Sequence, residues 1–238
     1  MLSDLLDKGE LSSPRTHFTK ELIGYQSCID MTKPFLNIPE RKLGNQFRYA
    51  EAAWILSGDN RVSTIAPYSK MISQFSDDGV RFFGSYGPKI VDQISYVINL
   101  LDQDPYTRQA VINIWREKPP QSKDIPCTTN LQFVIRNNTI HCIANMRSSD
   151  AWLGWPYDVF NFTCVSIYIL LQLKSMHNVN YKLGTLTVNA GSQHLYKKDW
   201  EQAKHCLNNV WDTPFIITHS QFKDGETFIN SLWNSARG

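Results

Sequence analysis

The sequence predicts an α+β fold built on one large sheet. Three observations carry that expectation. Helical and strand periodicities are intermixed without a regular βαβ alternation. Two strand-like runs meet at a two-residue Asn-Asn turn, and one long segment is apolar around most of its circumference. Residues 41–58 read as a helix, because Leu43, Phe47, Ala50, Trp54 and Ile55 recur at helical spacing, and Gly58-Asp59-Asn60 supplies a C-terminal cap. Ser76-Asp77-Asp78-Gly79 reads as a turn leading into the glycine-rich stretch from Phe83 to Pro88. Residues 89–102 form a second amphipathic helix, with Ile90, Ile94, Val97, Leu100 and Leu101 as its apolar residues. Strand-like segments follow at 109–115, 129–136, 139–146 and 183–190. Asn137-Asn138 joins the middle two as a hairpin, since Asn tolerates positive φ. Residues 158–177 read as a buried helix, with another near 194–208.

At 238 residues and 42% hydrophobic, the chain can bury a substantial core, and a single domain over 1–238 is the simplest expectation. A net charge of +2, with Lys and Arg spread along the sequence, creates no demand for nucleic acid or an acidic membrane as partner. The first eight residues contain Asp4 and Asp7 and no long apolar run, so they do not read as a secretory signal. The stretch from Val165 to Leu173 is interrupted by Ser166, Tyr168 and Gln172, which makes it too short and too polar to span a bilayer. Five cysteines form no paired motif and no zinc-type spacing with histidine, so reduced thiols, no metal and a cytoplasmic location are expected.

Three residues admit a chemical and a bland reading. Cys127 is a nucleophile only if nearby positive charge lowers its thiol from about 8.5. The Asn137-Asn138 hairpin folds 139–147 back along 129–136, bringing Arg147 toward it; on the residues alone, a buried small hydrophobe is the commoner role. Glu51 falls on or beside the buried stripe of its helix, one turn from Phe47 and Ile55, where a carboxylate needs a partner or a route to solvent. Asp158 follows Pro156-Tyr157 at the expected start of a helix and suits an N-cap.

The three motifs Ile125-Pro126-Cys127-Thr128, Arg147-Ser148-Ser149-Asp150 and Leu153-Gly154-Trp155-Pro156-Tyr157-Asp158 resemble the core of the thymidylate synthase family. Its enzymes build a one-carbon group onto C5 of a pyrimidine nucleotide. The segments 50–59 and 191–196 match in the same order, so the resemblance covers roughly residues 41–208. It implies a sheet layered with helices and paired by its free face in a homodimer. The implied co-substrate is 5,10-methylenetetrahydrofolate, and the substrate is deoxycytidylate (dCMP) or deoxyuridylate (dUMP). The implied roles are equally specific. Cys127 adds to C6 of the ring, Glu51 organises water and proton transfer, and Tyr86 stands near the reacting centre. Arg147, Ser148 and Arg15 hold the phosphate. Arg108 is donated across the dimer interface, with Gln109 where a second arginine is usual. His194 and Tyr196 hold the sugar 3′-hydroxyl, and Asp150 and Gly154 contact the folate.

The departures are informative. Thymidylate synthases carry an Asn that reads uracil where this chain has Asp158, a His where it has Thr128 and an Asp where it has Ser192. All three substitutions resemble the deoxycytidylate hydroxymethylase branch. The ending Leu232–Gly238 does not match the family's closing segment, and the active-site tryptophan that the family carries ahead of the Gly84–Gly87 turn has no match in this sequence. Reduction needs a site closed to water, so these differences favour water over hydride as the final reactant. Deoxycytidylate 5-hydroxymethyltransferase is the expectation, ahead of thymidylate synthase or a methyl-transferring relative. A Cys127–His194 thiol hydrolase and a non-catalytic nucleic-acid binder suggested by the 12% aromatic content are the remaining rivals.

Overall fold

Strands β1 (Glu10–Ser12), β2 (Thr19–Asp30), β3 (Val111–Asn113), β4 (Thr128–Arg136), β5 (Thr139–Met146), β6 (Ser149–Asp150) and β7 (Lys182–Tyr196) form one mixed sheet in the computed structural model. All residues are described except 15, 16, 37, 178 and 210–218. The strand order is β1-β2-β7-β5-β4-β3, with β6 beside β7. The β4–β5 hairpin closes as the sequence predicts: Asn137 and Asn138 take φ of 50° and 57°, and Arg136 pairs with Thr139. β5 and β7 run parallel, which a tight turn cannot connect. The crossover between them is α5 (Gly154–His177).

Strand alternation decides where the core sits. Leu131, Phe133 and Ile135 of β4, Ile140, Cys142 and Ala144 of β5, and Leu186 and Val188 of β7 are buried on the helix-covered face. α5 lies in this core with 15 of its 24 residues buried, so its apolar character serves packing, although its length and composition alone would suit a bilayer. Two of its buried hydroxyls, Thr163 and Ser166, donate to the carbonyls one turn back (2.8 and 2.9 Å) and leave no orphaned donor. Helices α2 (Asn45–Leu56), α4 (Gly87–Gln103) and α7 (Gly225–Arg237) pack around α5, and the short α3 (Val62–Ile65) packs against α2. Gly58 ends α2 with φ 67°, the left-handed cap expected there. The opposite sheet face is half-exposed and carries a chain of amides: Gln26 donates to Asn189, Asn189 to Asn145 and Asn145 to Asn130 (2.8, 3.0 and 2.9 Å).

The boundaries differ from expectation for physical reasons. α2 starts at Asn45, not 41, because residues 39–41 form a separate 3-10 turn and Lys42 turns left-handed at φ 51°. The strand expected at 109–115 shrinks to Val111–Asn113, at the sheet edge. β7 continues past 190 to Tyr196, because β2 pairs with it from Asp30↔Thr185 to Thr19↔Tyr196. The helix expected near 194–208 therefore begins only at α6 (Trp200–Leu207). β2 itself, the opening helix α1 (Leu2–Lys8) and α7 lie outside every expected element. α5 begins at Gly154, four residues earlier than expected, with Pro156 tolerated in its first turn.

Phe133, fully buried in the middle of β4, gives a test of this packing. Phe133→Ala is expected to destabilise the protein by about 3–5 kcal/mol, read by equilibrium urea denaturation.

Candidate active site

The thiol is placed by the β4–β5 register. That register ends with Thr128 opposite Met146, so the next residues out, Cys127 and Arg147, face each other. The Arg147 backbone N–H donates to the Cys127 carbonyl (2.8 Å). Its guanidinium donates to the carbonyls of Pro126 (2.9 Å) and Ile125 (3.0 Å) and reaches the Cys127 Sγ at 3.7 Å. On the other side, Asp124 accepts from the Gly84 N–H (2.6 Å), tying the thiol loop to the Gly84–Tyr86 turn. Gly84 is obligatory there, because a Cβ would collide with the Asp124 carbonyl. Tyr86 Oη accepts from both the backbone N–H (3.2 Å) and the hydroxyl (3.1 Å) of Thr128.

Helices α2 and α5 supply the facing wall. Glu51 projects from α2, and its Oε2 accepts from Asn161 Nδ2 of α5 at 2.8 Å. Asp158 stands three residues before Asn161, on the same side of α5. Glu51, Tyr86, Cys127 and Asp158 thus line one cavity of about 200 Å³, together with Asp124 and Asn161. Trp54, Ile72, Phe75 and Phe82 form its apolar walls. A second depression, along Ser57–Arg61 and Arg81, is shallow and is lined by no cysteine or histidine, and Arg61 there is already paired with Asp59. Among the described residues, no group of three or more His, Cys, Asp and Glu side chains gathers as a metal site.

Burial dominates the electrostatics. It pushes Glu51 up to about 7, with the weaker Asn161 hydrogen bond pulling the other way. Burial also raises Asp158 well above the usual carboxylate range, and the charges of Glu51 and Asp150 add to the effect. Tyr86 is raised by burial, then by Asp158 and Cys127. Cys127 corrects one expectation. Arg147 sits where the hairpin predicts and does draw the thiol down, but burial outweighs it and the net direction is up, with Asp158, Asp124 and Asp150 adding to the rise. A proton on Asp158 removes part of that upward push, so the acids and the nucleophile are coupled.

The N-cap reading of Asp158 fails. The residue lies inside α5, and its carboxyl makes no hydrogen bond to a described residue and is left to the cavity. The other expected residues fall into a second cluster at the β6–β7 end. Parallel pairing sets Asp150 beside His194. Ser148 Oγ lies 3.4 Å from His194 Nδ1, and His194 packs edge-on against Tyr196 at 5.1 Å. Asp150 Oδ1 accepts from the Trp152 N–H (2.9 Å), leaving its second oxygen for a ligand. Gly154 lies between the two acids: a Cβ there would stand 3.6 Å from Asp150 Cβ and 3.9 Å from Asp158 Oδ2. Arg108 is exposed and not among the cavity-lining residues; its carbonyl accepts from Gln132 Nε2 (2.8 Å). Arg15 lies outside the described residues, although His17, two residues on, meets Tyr196 edge-on at 6.1 Å.

Sequence reasoning did not single out Asn161, Asp124 or the apolar walls. Asn161 left a signal: a carboxamide in the middle of a helix that is otherwise apolar all round needs a partner.

The Glu51 environment has a measurable consequence. Between its ordinary value of about 4.5 and about 7, the folded protein keeps a proton that the unfolded chain has released. Stability therefore falls as pH rises through that window and stays lowered above it. Glu51→Gln removes the burden, so urea denaturation should show a gain of ~1–3 kcal/mol at pH 8 that vanishes toward pH 4.5.

The thymidylate synthase family profile matches residues 1–226, nearly the whole chain. Family members transfer one-carbon units to C5 of pyrimidine nucleotides with methylenetetrahydrofolate as co-substrate. A mixed sheet layered with helices, with one cysteine presented to a carboxyl-lined cavity, fits that chemistry, and the chain belongs to the thymidylate synthase family.

Proposed function

We propose that this enzyme is a deoxycytidylate 5-hydroxymethyltransferase, converting dCMP, methylenetetrahydrofolate and water to 5-hydroxymethyl-dCMP and tetrahydrofolate. One observation carries the reading: the Asp158 carboxyl shares a cavity with the Cys127 sulfur and is held toward its protonated form by burial. Cytosine presents an N4–H donor and an N3 acceptor. A single proton shared between Asp158 and N3 fits that edge wherever it resides, as acid plus neutral base or as carboxylate plus protonated base. Uracil has its own proton on N3, so it pairs only with the protonated acid and leaves an ionised Asp158 facing the O4 lone pairs, whereas cytosine is matched in either protonation arrangement.

In this reading Cys127, deprotonated as the nucleotide binds, adds to C6 and converts C5 into a carbon nucleophile. Asp158 shifts its proton toward N3 as the ring becomes electron-rich. Glu51 stands ready to take up the C5 proton and relay it, and Tyr86, fixed by Thr128, has its O–H left to donate beside the reacting centre. Arg147 and Ser148 hold the phosphate, with Arg15 assigned the same role, and His194 and Tyr196 hold the 3′-hydroxyl. Methylenetetrahydrofolate, when bound, supplies the one-carbon unit. The free oxygen of Asp150 and the open space at Gly154 suit the N–H groups of its pterin, and Phe75, 54% exposed at the cavity mouth, offers it an apolar wall. A homodimer formed through the half-exposed sheet face belongs to the same proposal, with Arg108 reaching the partner's site.

Incubation with dCMP or dUMP tritiated at C5, plus methylenetetrahydrofolate, tests the assignment. Release from dCMP without dihydrofolate absorbance at 340 nm is the expected result; release from dUMP alone, with dihydrofolate formed, would make the protein a thymidylate synthase. Asp158→Asn should move the ratio of kcat/KM for the two nucleotides toward dUMP by about 2–4 kcal/mol, the scale of one mismatched buried polar pair. An unchanged ratio would remove Asp158 from base reading. Sedimentation equilibrium should give twice the chain mass.

A further inference from the structure

Asn161 is 4% exposed, and its carboxamide is only half used. Nδ2 donates to Glu51 Oε2 at 2.8 Å, whereas Oδ1 is buried with no hydrogen-bond partner. A buried carbonyl without a donor is uncommon, because leaving it unpaired costs free energy that a water or ligand would recover. The side chain lines the same cavity as Glu51, Cys127 and Asp158. With about 200 Å³ of room, the cavity admits a water molecule, whose share of liquid volume is roughly 30 Å³. No backbone duty explains the residue, since neighbouring polar groups of α5, Thr163 and Ser166, satisfy themselves on their own helix and Asn161 does not.

We propose that Asn161 is a positioning residue that fixes Glu51 through its N–H and offers its own carbonyl to the water that completes the hydroxymethyl group. The assignment rests on the hydroxymethyltransferase reading given above. A water donating one hydrogen to Glu51 and the other to Asn161 Oδ1 has its lone pairs free for the exocyclic methylene carbon on C5. Its oxygen bonds that carbon while one O–H bond breaks, the proton passing to the Glu51 carboxylate. The exocyclic π pair moves into the ring and re-forms C5=C6 as the C6–S bond breaks, returning Cys127 as thiolate. Atoms and electrons balance without a reductant. Glu51 must be ionised to accept the proton, and the Asn161 N–H favours that form. The other titratable groups facing this point are Asp158 and Tyr157 of α5, Tyr86 of the glycine turn, and Asp124 and Cys127 of the thiol loop.

The test uses full-length Asn161→Ala and Asn161→Leu, the second variant filling the space of the amide so that either can serve if the other fails to fold. In the free protein, carboxyl-labelled Glu titrated by NMR should show Glu51 ionising at higher pH in both variants. With dCMP, the ratio of hydroxymethyl product to C5 tritium release should fall ~10²-fold, the scale of positioned proton transfer. The acid limb of product formation should move upward in pH. Asn161→Gln should restore part of the ratio. An unmoved Glu51 titration together with an unchanged ratio overturns the assignment. If the wild-type protein processes only dUMP, the parent reading falls and the water role with it, while the Glu51 titration still decides the positioning role by itself.

Discussion

Arg147 connects the sheet to the nucleophile. Its backbone continues β5 and donates to the Cys127 carbonyl, and its guanidinium donates to two more carbonyls of the 125–127 loop before reaching the sulfur. The position of the thiol is therefore inherited from the register of one hairpin, which the Asn137-Asn138 turn fixes. A slip of one residue would reverse every side chain of β5 and carry Arg147 away from the loop. Asp124, bound to Gly84, and Tyr86, bound to Thr128, brace the loop from the other side. The sulfur is held between two elements that are themselves pinned to the core.

The cavity behind that sulfur gathers groups that a core normally excludes. Glu51, Asp158 and Tyr86 all rise because burial disfavours their charged forms; the charge of Glu51 adds to the rise at Asp158, and that of Asp158 to the rise at Tyr86. Such an arrangement weakens the fold at neutral pH, and perturbed acids cluster where proton transfer is needed. The thiol is subject to the same burial. Arg147 supplies the only opposing charge among the causes of its shift, so the ionised sulfur depends on whether the acids hold their protons.

Much of the site was legible before the fold. Cys127, Glu51, Tyr86 and Asp158, which the motifs single out, lie on one cavity, and Ser148, His194 and Tyr196 form a contact chain. Local chemistry was read well where it is local: the Asn-Asn turn, the Gly58 cap and the helical stripes of α2 and α4. The long strand β2 was not legible, because its residues mix polar and apolar and become a strand only through pairing with β7. The same pairing drew His194 and Tyr196 out of an expected helix region and onto a strand. Asp158 shows the limit in one residue: sequence statistics favoured a cap, and the extra turn from Gly154 left its carboxyl in the cavity.

The sequence by itself determined which residue types bear the chemistry, the order in which they occur and the family to which they belong, since turn chemistry, periodicity and motif spacing are short-range properties. Tertiary structure alone decided that Glu51 meets Asn161 across 110 positions, and that burial outweighs Arg147 at the thiol. It also decided that three carboxyl groups, Glu51, Asp124 and Asp158, line one cavity. Desolvation and charge coupling depend on what surrounds a group in space, and a linear chain does not specify those neighbours until it has packed.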